Sequence, residues 1–170
     1  MKIRICGAVG SGKTTLAREL SKKYQIPYYE LDQVVRERQG QRGDRLRSES
    51  EKAELLKEII EQPAWIIEGM HNEEWTYDTF EHADVLCLLN PPKKVIKYRL
   101  TKRFIRQKLK LETVHYTPTI SIYFKMFKWA KMFDEKGRPN VMHLSETVQA
   151  ELIILENDRD VKEFLRNPAG

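Results

Sequence analysis

At 170 residues, with 41% hydrophobic and 32% charged residues, 8 Gly and 7 Pro, the chain has the size and composition of one globular domain. That excludes collagen-like repeats, wholesale disorder and two full domains. The formal net charge of +5 is concentrated: between Pro91 and Arg138, 14 Lys or Arg stand against Glu112, Asp134 and Glu135, so the rest of the chain is acidic and this segment suits an anionic partner.

No apolar run approaches the roughly 18 residues that cross a bilayer, the longest being Val85 to Leu89, so no membrane span is expected. Met1 leads straight into Lys2-Ile3-Arg4-Ile5-Cys6 without a leader pattern, which predicts a cytoplasmic location. Cys6 and Cys87 each sit inside an apolar run without CxxC spacing and read as buried, reduced thiols.

In chain order, Lys2 to Cys6 alternates basic and apolar residues and reads as a strand. A helix from Lys13 places Leu16, Ala17 and Leu20 on one face, Gln25-Ile26-Pro27 closes it, and Tyr28 to Leu31 reads as a second strand. Residues 32–50 are densely charged and predict a short helix plus an exposed loop. Ser48 or Ser50 then caps a helix through Gln62 with Ala53, Leu55, Leu56, Ile59 and Ile60 as its apolar face. Trp65 to Glu68 and Asp84 to Leu89 read as strands of a parallel sheet buried on both faces. After Pro92 comes a long helix whose Ile96, Leu100 and Phe104 form a stripe flanked by Arg99, Arg103 and Arg106. Thr117-Pro118 signals the start of a helix containing Ile120 to Phe133 and reaching Gly137, with Lys125, Lys128 and Lys131 as a basic stripe. Glu151 to Leu155 reads as a fifth strand, and Val161, Phe164 and Leu165 as the inner face of a closing helix.

Gly7-Ala8-Val9-Gly10-Ser11-Gly12-Lys13-Thr14 satisfies G-x-x-x-x-G-K-[ST] between a predicted strand and a predicted helix. Such a loop points backbone N–H groups into a concavity at the positive end of a helix, which binds phosphate oxygens. Gly7 through Thr15 are therefore the expected ATP-binding residues. Lys13 is expected to reach the β- and γ-phosphates and Thr14 to bind Mg²⁺. The fourth strand ends Leu89-Asn90-Pro91-Pro92 and carries no guanine-reading motif, which disfavours a GTPase. AAA and RecA-type motors are generally longer, with a fuller acidic strand, so a small kinase fits better.

Gly7 to Thr14, Tyr29-Glu30-Leu31-Asp32, Trp65-Ile66-Ile67-Glu68-Gly69, Ala83-Asp84-Val85 and the Arg-rich helix after Pro91-Pro92 resemble, in that order, the adenylate-kinase-like small kinases. Within them the chain is most similar to the DNA topology modulation (FlaR-like) proteins. The resemblance covers most of residues 1–109. It implies an α/β P-loop NTPase fold of three layers with a five-stranded parallel sheet of order 2-3-1-4-5, an acceptor-binding insertion (33–62) and a helical lid (107–142). It further implies that ATP donates a phosphoryl group to a nucleoside monophosphate or another small molecule. The chain departs from the family's Asp-Gly-Asn-Tyr with Glu68-Gly69-Met70-His71, and from a common Asp with Asn90.

Phosphoryl transfer relies on positioning and charge neutralisation, so carboxylates and cations at the carboxyl ends of the strands are the candidates. Asp32 is the candidate acceptor contact or base, and otherwise a helix N-cap. Glu68 is the candidate Mg²⁺ partner, and otherwise a solvated strand end. Arg99 and Arg103 are the expected catalytic cations, with Arg36 and Arg38 as further anion contacts or a solvated face. His71, His82, His115 and His143 show no metal-ligand spacing, so Mg²⁺ is expected to arrive with ATP. Trp129, Phe124, Phe127 and Phe133 read as packing residues, and Asn157 lies where the adenine is expected. Two other readings remain: a nucleic-acid-binding protein using segment 91–138 with the P-loop as a switch, and a peripheral membrane protein using the helix at Ile120 to Phe133.

Overall fold

The computed structural model describes residues 1–38, 44–109, 111 and 119–168. Strand β1 (Lys2–Gly7) runs into the Gly-rich loop and then α1 (Lys13–Tyr24). Strand β2 (Tyr28–Glu30) passes directly into α2 (Leu31–Val35), so Leu31 opens a helix instead of ending a strand. Where a loop was expected, β3 (Arg36–Arg38) and β4 (Asp44–Leu46) form an antiparallel ribbon. Helix α3 (Glu49–Ile60) begins at Ser48, the first of the two candidate caps. The Ser48 hydroxyl accepts from Glu51 N–H while Glu51 accepts from Ser48 N–H, so two otherwise orphaned amides are satisfied.

Strand β5 (Trp65–Glu68) is followed by a 3-10 turn at Glu74–Thr76 and α4 (Asp78–Glu81). Then come β6 (Val85–Leu89), α5 (Lys93–Lys108) and α6 (Ile120–Met132). Thr119 caps α6 through its hydroxyl; the expected Thr117-Pro118 start lies outside the described residues. Helix does not stop at Gly137. A π-helical turn at Phe133–Gly137 carries it into α7 (Arg138–Thr147), where Pro139 is tolerated in the first turn because that N–H needs no partner. Edge strand β7 (Glu151–Leu155) and α8 (Asp158–Arg166) complete the fold.

The central sheet is entirely parallel, in the order β2-β5-β1-β6-β7; counted over its five strands in chain order this is 2-3-1-4-5, as the resemblance implies. Alternation along each strand builds two cores. Ile3, Ile5, Ile66, Val85, Cys87 and Leu89 face Leu16, Ala17 and Leu20 of α1 and Phe164 of α8. Cys6, Trp65, Ile67, Leu86 and Leu88 face Leu56, Ile59 and Ile60 of α3 together with Phe133, Val141 and Leu144. Both cysteines are buried free thiols, and burial pushes their pKa values up. Phe133 is buried and Phe127 half-buried, but Phe124 and Trp129 are exposed, so the aromatic cluster packs only in part. No described helix is long and apolar enough to cross a membrane.

Candidate active site

Register places the site. Pairing of Ile5 with Glu68 and of Gly7 with Leu89 brings the ends of β5, β1 and β6 to one edge, where the Gly-rich loop emerges. Gly10 (φ +80°) and Gly12 (φ +107°) adopt left-handed backbone that L side chains rarely take. A Cβ on Gly10 would also stand 2.9 Å from Leu100 of α5. Gly12 is the N-cap of α1 without a side-chain cap, leaving the first-turn amides of the helix for a ligand.

Lys13 is buried and its Nζ donates to Ala8 O at 3.0 Å. Burial lowers its pKa, against the opposing pull of Glu68 and Asp32. Ser11 Oγ is buried with no hydrogen-bond partner, a polar atom inside the loop that a phosphate oxygen would satisfy. Thr14 Oγ1 donates to Glu68 Oε1 at 2.5 Å. Glu68 is buried and not a solvated strand end, and burial raises its pKa against Lys13 and the Thr14 hydrogen bond. Two hard oxygen donors side by side at a phosphate-binding loop fit Mg²⁺.

Asp32 lies in the first turn of α2, whose N-cap is Glu30, so the N-cap alternative does not hold. Its Oδ1 is 3.2 Å from His71 Nε2, and that hydrogen bond is the main cause of its lowered pKa. Arg99 crosses over the loop: one guanidinium nitrogen donates to Ser11 O at 2.7 Å and another pairs with Asp158 at 3.2 Å. Arg103 stands one turn further along α5, on the exposed side. Arg36 is exposed near Asp32; the Arg38 side chain lies outside the described residues. Val9 lies half-buried within the loop, and Thr15 is exposed in the first turn of α1.

A cavity of about 650 Å³ opens beside Ala8, between the end of β6, α5, α6 and the π-turn. Lys93, Lys97 and Arg138 supply positive charge to it, and Ile96, Phe127 and Phe133 supply apolar wall. Asp134 is held there by Lys93 at 2.7 Å and Arg138 at 3.1 Å, which lowers its pKa. A second cavity of about 200 Å³ is lined by Ser11, Arg99, Asn157, Asp158 and Val161. Asn157 itself is the N-cap of α8, in a reciprocal box with Asp160.

Two contributors escaped the sequence reading. Arg4 on β1 is fully buried and donates to Thr79 Oγ1 at 3.1 Å, Ile5 O at 2.9 Å and His71 O, with longer contacts to Ile67 O and Gly69 O. It staples the segment leaving β5. His71, considered only as a metal ligand, instead partners Asp32. The signal for Arg4 was its place in a strand buried on both faces, where an unpartnered guanidinium is untenable.

The family model described as an AAA domain matches residues 3–114. No curated protein sequence matches the chain. Among solved structures, shikimate kinase from Acinetobacter baumannii in complex with shikimate superposes with a TM-score of 0.57 at 15% identity, covering 98% of this chain and 89% of that one. Shikimate kinase from Bacteroides thetaiotaomicron gives 0.57 at 17% identity, covering 99% and 95%. A sugar kinase from Janibacter sp. gives 0.53 at 17% identity, covering 98% and 91%. These likenesses establish the fold of small P-loop kinases over the whole chain. They bear out the expected small-kinase fold but not a similarity to FlaR-like proteins. With a model spanning well over half its length, the chain belongs to the AAA domain family.

Proposed function

We propose that the protein is an ATP-dependent phosphotransferase that moves the γ-phosphoryl group to a nucleoside monophosphate or another small-molecule acceptor. The observation that carries this reading is the meeting of Lys13, the Thr14–Glu68 pair and the unpartnered Ser11 hydroxyl at one glycine-shaped loop. The loop amides and Lys13 bind the phosphates and spread their charge. Thr14 and Glu68 hold Mg²⁺, which when bound neutralises phosphate oxygens. Arg99 fixes the loop from α5 and, with Arg103, faces the donor, while Asp32 contacts the acceptor. The small cavity at Arg99 and Asn157 takes the nucleotide base. Residues 33–62 act as the acceptor-binding insertion and 107–142 as a lid over it.

The kinase names among the structural neighbours support the class of reaction, not its acceptor. FlaR-like membership stays within this proposal. Incubation with Mg²⁺-ATP and a panel of nucleoside monophosphates, hydroxylated small molecules and duplex DNA, recording ADP release, tests it. Release stimulated by a small acceptor and lost in Lys13→Ala is expected. Release stimulated by DNA alone would favour a nucleic-acid switch built on segment 91–138.

A further inference from the structure

The site edge beside β2 and β5 carries an arrangement that nucleotide binding does not use. His71 Nε2 lies 3.2 Å from Asp32 Oδ1 and its Nδ1 3.3 Å from Glu73 Oε2, while its ring tilts against Trp75 at 5.5 Å. Both ring nitrogens therefore meet carboxylate oxygens. The backbone beneath is fixed from two sides. Buried Arg4 donates to His71 O; next in sequence, Asn72 Nδ2 donates to Gly137 O at 2.7 Å and Asn72 O accepts from Asn140 at 2.7 Å. A side chain anchored in this way aims repeatedly at one target.

We propose that His71 is a positioning residue: it takes one oxygen of Asp32 and leaves the other to receive the proton of a hydroxyl group, so the acceptor is a small hydroxyl compound and not a phosphate. This rests on the phosphotransferase reading. A phosphate acceptor would need unspent cations at this edge. Among the described residues, the charges there beside Lys13, which serves the donor, and Arg36 are Glu30, Asp32 and Glu68, with Glu73 behind His71. Of the insertion's described arginines, Arg45 is spent on Glu37 and Glu51, and Arg47 on the carbonyls of Gln33 and Val34. Arg36, of those three, stands exposed near Asp32, while the Arg38 side chain and Arg42 lie outside the described residues. In the transfer, the hydroxyl oxygen bonds to the γ-phosphorus as the bond to the β,γ-bridging oxygen breaks. ADP leaves with that electron pair, and the hydroxyl proton passes to Asp32.

The test uses the full chain with Mg²⁺-ATP, alone and with nucleoside monophosphates, nucleosides and neutral polyols. ADP release is recorded for wild type, Lys13→Ala, His71→Ala and His71→Gln, and ³¹P NMR identifies the product. A phosphate ester is expected, never a new phosphoanhydride. In His71→Ala, kcat falls about tenfold while ATP affinity holds, and His71→Gln, whose amide nitrogen takes the place of Nε2 and can still donate to Asp32, recovers part of the loss. A phosphoanhydride product, or an unchanged kcat in His71→Ala, overturns the proposal. Lys13-dependent release of inorganic phosphate alone, with no ester formed from any acceptor, also overturns the proposal. Absence of any Lys13-dependent ADP release overturns the phosphotransferase reading beneath it.

Discussion

Glu68 shows how one residue can serve chemistry against stability. Burial raises its pKa, so folding penalises the ionised carboxylate. Its favourable contribution is present below the unfolded carboxylate value and is lost as pH rises through the raised folded value. Glu68→Gln is therefore expected to raise the melting temperature at neutral pH, on the order of 2–4 °C for each kcal/mol relieved, and to match wild type near about pH 4. The same substitution should weaken Mg²⁺-ATP binding about tenfold or more, since it removes the carboxylate beside Thr14. Thermal melts across pH with a parallel ATP titration check both. The strand, the Gly-rich loop and the helix from Lys13 were legible in the sequence because the motif is contiguous and its glycines mark backbone that other residues rarely take. The Thr14–Glu68 contact was half legible: both residues were expected at one sheet edge, but a direct hydrogen bond across 54 positions of chain follows only from the pairing of Ile5 with Glu68.

Among the elements, the five central strands and the longer helices were readable from periodicity, whereas the connections were not. Gly137 read as the end of the helix, yet the π-turn lets the helical path continue and buries Phe133, Val141 and Leu144 in the core. The ribbon of β3 and β4 was hidden by its charge: residues 36–38 and Arg45 read as an exposed loop, yet Glu37 and Arg45 stand opposite each other in the antiparallel register and form an ion pair at 2.8 Å. Strand β1 was read as a basic and apolar alternation, which conceals that Arg4 is interior. Arg4→Met should cost about 3 kcal/mol in urea denaturation, because it leaves the carbonyls of Gly69 and His71, in the segment after β5, without their donor. At the start of α3, Ser48→Ala should cost about 1 kcal/mol by the same measurement, through loss of the reciprocal cap. Equal stability of Arg4→Met and wild type would show that the staple contributes nothing.

For the molecule as a whole, the parallel sheet gathers residues distant in sequence onto one edge and leaves α5 and α6 without a single carboxylate. Part of that positive charge is directed inward, through Arg99 to the loop and through Lys93 and Arg138 to Asp134. The concentration of charge was visible in the sequence; its division between site and surface required the packing of α5 over the loop. The measurement that bears most directly on phosphoryl transfer is ADP formation from Mg²⁺-ATP by wild type and Lys13→Ala across small acceptors. The account predicts turnover by wild type that drops at least about 100-fold in Lys13→Ala, in line with removing a preorganised charge from a transition state. Equal turnover by the two proteins would contradict it.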